Sequence, residues 1–150
     1  MAATQIDPRG PRFGAGITNI LSVVAFLEAL DKSSEPVAAA IFGLFAVLFL
    51  IGTLYGTSKH PFGWIYRTFV KPRLAAPKEL EDSRPPQFAQ GVGLFVSLSG
   101  LALYAAAVPF GLAGAAAALF IASALQSYFG YCLGCQMYLG LKRVGVIRSA

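Results

Sequence analysis

From Pro36 to Gly56 the chain runs without a single charged side chain, PVAAAIFGLFAVLFLIGTLYG, and nothing else in the sequence limits its folding so sharply. A helix needs about 20 mostly apolar residues to cross roughly 30 Å of hydrocarbon. Stretches 13–30, 88–108 and 109–131 are of similar length and character. Inside lipid each must be helical, because an unpaired backbone N–H or C=O there costs several kcal/mol. Charged residues make up 13% of the chain, about half the share of roughly 25% that lets a soluble domain cover its surface. The expected fold is therefore an all-α membrane protein with four transmembrane helices in one membrane domain over residues 1–150. The first span, preceded by a polar segment and followed by no small-x-small cleavage site, is expected to be retained as a helix rather than removed as a signal peptide.

The basic residues orient the spans. Arg9, Arg12, Lys59, Arg67, Lys71, Arg73, Lys78, Arg84, Lys142, Arg143 and Arg148 fall on one side of the predicted membrane and only Lys32 on the other. The positive-inside rule makes the richer side cytoplasmic, so both termini are expected there, in a multi-pass plasma (inner) membrane protein. The same distribution argues against nucleic acid as partner, since the charges sit between apolar spans rather than on one basic face.

Residues 13–30 and 36–56 are joined by the short loop Asp31-Lys32-Ser33-Ser34-Glu35, and the last two spans meet near Pro109, so each pair reads as a helical hairpin. The hairpins resemble each other at an offset of 75 residues. Asp7-Pro8-Arg9-Gly10-Pro11-Arg12-Phe13 aligns with Asp82-Ser83-Arg84-Pro85-Pro86-Gln87-Phe88, Gly16 with Gly91 and Ser22 with Ser97, giving 6 identities in 16 positions without a gap. Repeats over about 7–60 and 82–141, both starting on one side, would be parallel and related by an axis along the membrane normal. In the shared motif, Asp7 and Asp82 are expected to accept from N–H groups at the helix starts. Arg9 and Arg84 are expected to reach lipid phosphate or the carbonyl end of a neighbouring helix, as cations at the rim of a vestibule. The offset sets Cys132 against Thr57 and Cys135 against His60.

The connecting loop, 57–87, holds Pro61-Phe62-Gly63-Trp64-Ile65-Tyr66-Arg67-Thr68-Phe69-Val70-Lys71-Pro72-Arg73. Its apolar residues recur at helical spacing between basic ones, which predicts a short amphipathic helix in the headgroup plane with Trp64 and Tyr66 at the interface. Asn19, Ser22, Ser97, Ser99, Ser123, Gln126 and Ser127 are candidates for hydrogen bonds between helices.

Both cysteines lie in Cys132-Leu133-Gly134-Cys135, at the expected cytoplasmic end of span four. Residues three apart share a helix face, and such pairs lower the pKa of one thiol, the thiolate being the reactive form. Three readings follow. The pair exchanges with a disulfide or carries a persulfide, with His60 as proton acceptor; or Cys132, Cys135 and His60 hold zinc or another thiophilic metal, short of the usual four ligands; or the cysteines only pack. No cofactor is otherwise expected. This position is expected to be a helix C-terminus, where the dipole opposes a thiolate, with Lys142 and Arg143 as the compensating cations. No Ser/His/Asp set, phosphate loop or paired carboxylate supports a hydrolase or nucleotide enzyme.

These motifs resemble the DUF4395 family of bacterial integral membrane proteins. The resemblance rests on Ile6-Asp7-Pro8-Arg9-Gly10-Pro11-Arg12-Phe13, on Arg84-Pro85-Pro86-Gln87-Phe88-Ala89-Gln90 and on Gly130-Tyr131-Cys132-Leu133-Gly134-Cys135-Gln136-Met137-Tyr138. Where the family commonly has arginine, this chain has Gln87, so the resemblance assigns no charge-dependent role there. It implies a membrane protein with a Cys-x-x-Cys in a sulfur or thiol-redox setting, since relatives occur beside thioredoxin-like and sulfurtransferase-like proteins, and it supplies no reaction. The expected function is thiol redox or sulfur relay. The alternative is a non-catalytic small subunit or scaffold of a larger membrane complex. Expected partners are the bilayer, a thioredoxin-like or sulfurtransferase-like protein, and further copies of the chain.

Overall fold

The computed structural model describes residues 4–148. Four long helices cross the molecule: α1 (Arg9–Glu28), α2 (Glu35–Tyr55), α4 (Arg84–Ala105) and α5 (Gly111–Phe129). All four are long and apolar enough to span a bilayer. Two short helices, α3 (Pro61–Ile65) and α6 (Leu133–Arg143), lie at the end that carries most of the Lys and Arg. Large apolar side chains face outward on the spans, Phe95 being 71% exposed and Ile20 66%. The interior instead combines Phe42, Phe45 and Leu112 with alanines, Ser22 and Ser97. That inversion is what lipid as solvent permits, where close packing through small residues replaces hydrophobic collapse.

Helix starts and stops follow from local chemistry. Asp7 Oδ1 accepts from Arg9 N at 3.0 Å, and Asp82 Oδ1 from Arg84 N at 2.9 Å, as expected for the shared motif. Ser34 Oγ donates to the Glu28 carbonyl at 2.8 Å, closing the first hairpin. The second hairpin turns differently from the expectation that span four begins at Pro109. α4 ends in a turn with Ala107 at φ 56°, Val108 N–H bonds the Leu103 carbonyl at 3.0 Å, and α5 starts only at Gly111. Pro109 sits in the turn because Phe110 has φ 57°, which a helix cannot contain.

The hairpins interleave. α1 packs chiefly on α5, and α2 on α4, while α3 leans on α1 as α6 leans on α4. Glycines set the close approaches: a Cβ on Gly100 would meet Phe42 and Ala115 at 2.8 and 2.9 Å. Two-residue strands that periodicity could not reveal join the starts of the two halves. β1 (Gln5–Ile6) pairs antiparallel with β2 (Glu81–Asp82), Gln5 opposite Asp82 and Ile6 opposite Glu81.

The segment expected as one amphipathic helix is three turns of different pitch. α3 passes into a π-turn at Tyr66–Val70 and then a 3-10 turn at Lys71–Arg73. Pro72 lacks an N–H and crowds the carbonyl four residues back, so an α-helix cannot run through it. Trp64 and Phe69 stay exposed and touch edge to face, centroids 6.0 Å apart. Tyr66 does not lie at the interface: it is 3% exposed, its ring 5.9 Å from Phe13, because Asp7 Oδ2 accepts its hydroxyl at 2.9 Å and lets the phenol turn inward.

Candidate thiol site

α5 does not continue into the Cys-x-x-Cys. It stops at Gly130, φ 67°, whose N–H bonds the Gln126 carbonyl at 3.1 Å. The chain then turns, and Cys132 becomes the N-cap of α6, with φ −90° and ψ 107°. Its Sγ accepts from Cys135 N at 3.2 Å. The cysteines therefore sit at a helix N-terminus, and the placement at a C-terminus is corrected. A helix N-terminus is the end at which the dipole favours negative charge. Lys142 and Arg143 occupy the last turn of α6, about 15 Å from Cys132 at the helical rise, so they match the dipole of α6 rather than the thiol. In the structure the two cysteines form a disulfide, Cα atoms 5.1 Å apart.

Gly134, inside the motif, explains how α6 is docked: a Cβ there would meet Ala89 Cβ at 2.5 Å and Cα at 2.6 Å. The first turn of α6 thus rests on the backbone of α4. Tyr138, 3% exposed, follows with its ring 5.7 Å from Phe88.

His60 occupies the matching seat in the first half. It is the N-cap of α3, with Nδ1 accepting from Phe62 N at 3.2 Å, so the neutral ring carries its proton on Nε2. Burial is the main influence on it and pushes its pKa down to about 4, with the Leu48 carbonyl working the other way. The fixed offset set Cys135 against His60; in space it is Cys132 that does what His60 does, six residues before the inward-facing Tyr138 as His60 is before Tyr66. The connector after the second hairpin is shorter, which slips the register.

Between the halves lies a cavity of about 610 Å³ onto which both His60 and Cys132 open. Cys135 is not on its wall, and among the described residues no three His, Cys, Asp or Glu side chains gather as a metal-binding group. Asp7, Arg67 and Lys71 stand on the wall outside the spans, with Thr18, Gln90 and Ser123 on it within them.

Arg9 and Arg84 are held by their own motif aspartates. Arg9 Nη2 meets Asp7 Oδ2 at 2.9 Å and the Ala75 carbonyl at 3.0 Å, and Arg84 Nη2 meets Asp82 Oδ2 at 2.6 Å. The Arg9 hydrogen bond holds Asp7 down at about 2, with Tyr66 adding to it against partial burial. Asp82 is also lowered, first by Arg84. The arginine that reaches a neighbouring carbonyl end is Arg12, whose Nη2 donates to Ser127 O at 3.4 Å beside Gly130. In the other half Gln87, at the equivalent position, donates through Nε2 to Thr53 O at 2.8 Å near Gly56. Sequence reasoning missed Arg12 and Gln87 as a pair, although their alignment in the shared motif was the available signal. Of the polar span residues, Asn19 does bond across helices, to Phe120 O at 3.1 Å and to Tyr128 Oη at 3.1 Å. Ser22, Ser97 and Ser99 instead bond back to carbonyls of their own helices.

Four apolar spans, an interior of small and polar residues and a cysteine pair at a helix start define a membrane-embedded helical bundle with a bonded cysteine pair at one end. The chain belongs to the family described as domain of unknown function DUF4395, which matches residues 6–143, nearly its whole length. No curated protein and no solved structure gives a match.

Proposed function

We propose that this protein is a membrane thiol–disulfide exchange protein whose working couple is Cys132 and Cys135, at the cytoplasmic end of a bundle in the plasma membrane. The observation that carries the reading is the seat of Cys132: an N-cap sulfur, accepting from Cys135 N, on the wall of the cavity. A thiolate at Cys132 attacks one sulfur of a partner disulfide and releases a partner thiolate. Cys135 then attacks Cys132 Sγ, freeing the second partner thiol and closing the Cys132–Cys135 disulfide. Two electrons and two protons leave the pair and are taken up by the partner. A thioredoxin-like protein has the chemistry to be that partner. His60, with a pKa near 4, is a weak base at neutral pH, and its part is that of a neutral, buried cap on the cavity wall.

The test is a mass-tag assay on membranes after an oxidant pulse, with Cys135→Ser to trap a mixed disulfide through Cys132. A change of two thiols on oxidation and a trapped adduct are expected. A pair that stays inert under every condition, in a protein that still co-purifies with a membrane partner after Cys132→Ser, would make it a scaffold instead. Labelling by an impermeant maleimide in inverted vesicles, and not in intact cells, is the expected sign of a cytoplasmic site.

A further inference from the structure

A dithiol at the mouth of a membrane-embedded cavity raises the question of which acceptor the cavity is shaped to take. The cavity is no surface dent. Its wall includes Thr18, Val96 and Leu119, and Leu119 lies about 15 Å along α5 from Phe129 at the helical rise. That depth is roughly half of the hydrocarbon. Gly10 and Gly14 of α1 and Gly93 of α4 are on its wall, each set against an aromatic side chain, Tyr66, Phe62 and Phe49 respectively. Its volume is that of a small-molecule site, and its mixture of apolar wall with few polar groups fits one.

The charge distribution decides the class of ligand. Every charged residue on the wall, Asp7, Arg67 and Lys71, comes from outside the spans; the wall between the helices offers only hydroxyls and amides. An anion or a charged peptide disulfide would lose its hydration there without a counter-charge. A neutral, flat, lipid-soluble molecule with carbonyl oxygens would not. Gln90 is on that wall. Its Oε1 is buried against Gly52 of α2 with no hydrogen-bond partner, so no protein group holds that oxygen in place. An amide can turn to present either its N–H or its oxygen. It would donate to a carbonyl and, after two-electron reduction, accept from the resulting hydroxyl. His60 adds a neutral ring to the wall.

We propose that the cavity binds a membrane quinone, which oxidises the Cys132–Cys135 dithiol. The inference rests on the thiol-exchange reading and names its acceptor. Two S–H bonds break and one S–S bond forms. The two electrons and two protons convert both quinone carbonyls to hydroxyls, and the quinol leaves into the bilayer. A partner dithiol restores the reduced pair by running the thiol–disulfide exchange in reverse, so that the partner leaves oxidised.

The experiment uses the full chain in lipid nanodiscs, reduced, freed of reductant and mixed anaerobically with decylubiquinone or menadione. Quinol formation is followed by absorbance and thiols by mass tagging, with an aromatic disulfide as a parallel oxidant. The expected result is a quinol formed for each chain as both thiols are lost, and none above background with Cys132→Ser. Filling the cavity with Ala122→Phe should slow quinol formation about tenfold or more by denying the reacting geometry. An azidoquinone should label α1 or α5 residues of the cavity wall in the unmodified protein, a readout that does not depend on how the variants fold. A pair that exchanges with the aromatic disulfide yet leaves both quinones oxidised overturns the quinone and leaves thiol exchange standing. Label confined to the outer faces of the helices also overturns it. Inertness toward disulfide and quinone alike removes both readings.

Discussion

At the end of α2 the chain turns and caps a short helix with an imidazole; at the end of α5 it turns and caps another with a thiol. Around these two seats the halves use matching parts. Asp7 and Asp82 each receive an arginine two residues on. Ser22 and Ser97 each bond back four residues. Phe13 and Phe88 each meet an inward tyrosine. What differs is chemistry at one position: a buried neutral ring caps the helix in one half, and a sulfur caps it in the other. Under the proposed function, a common scaffold is kept stable on one side while the other is left free to react.

The largest expected effect separates the two seats outright. Cys132→Ser should abolish thiol exchange in a mass-tag assay, whereas His60→Gln should retain it; equal losses would end the claim that the seats differ in role. Next comes docking. Gly134→Val must push α6 off the Ala89 backbone, an overpacking cost of about 1–3 kcal/mol. The expected readout is a lower melting temperature in detergent and faster proteolysis after residue 132, with no such change for Gly140→Ala, where the space is open.

The third contrast is pH. Because the folded pKa of His60 lies near 4, below the unfolded value of about 6.5, the unfolded chain binds the proton first. Stability from the neutral buried ring is therefore complete above about pH 6.5 and is lost as pH falls toward 4. Asp7, held near 2, adds its own loss only below the ordinary carboxylate range. Thermal melts across that window should show the decline, and His60→Gln should flatten it. Fourth, Tyr66→Phe deletes the bond to Asp7 and should cost about 1 kcal/mol. Tyr138→Phe should cost less, since its hydroxyl makes no hydrogen bond among the described residues. Smallest is Arg12→Gln, which copies the Gln87 arrangement and should be close to neutral in a melt.

The spans were legible because freedom from charge over a bilayer's width has few other outcomes. The Asp-Arg helix starts were legible because capping is local. The break at Gly130 was not: glycine followed by tyrosine reads as the interfacial end of a continuing helix, and only the αL backbone shows that the cysteines begin a new one. Strands of two residues carry no periodicity. The inward turn of Tyr66 depends on Asp7, far away in sequence, and the cavity on residues contributed by separate helices, so neither could be read from a window of neighbouring residues.

The interleaving of the hairpins bears on biosynthesis. The first hairpin reaches the membrane while its main packing partners, α5 for α1 and α4 for α2, are still being translated. The strand ahead of α1 must likewise wait for Glu81 and Asp82 before it can pair. Assembly is thus deferred until the second half emerges, and a ribosome stalled near residue 75 would leave an inserted but unfinished hairpin for the membrane quality-control machinery to find.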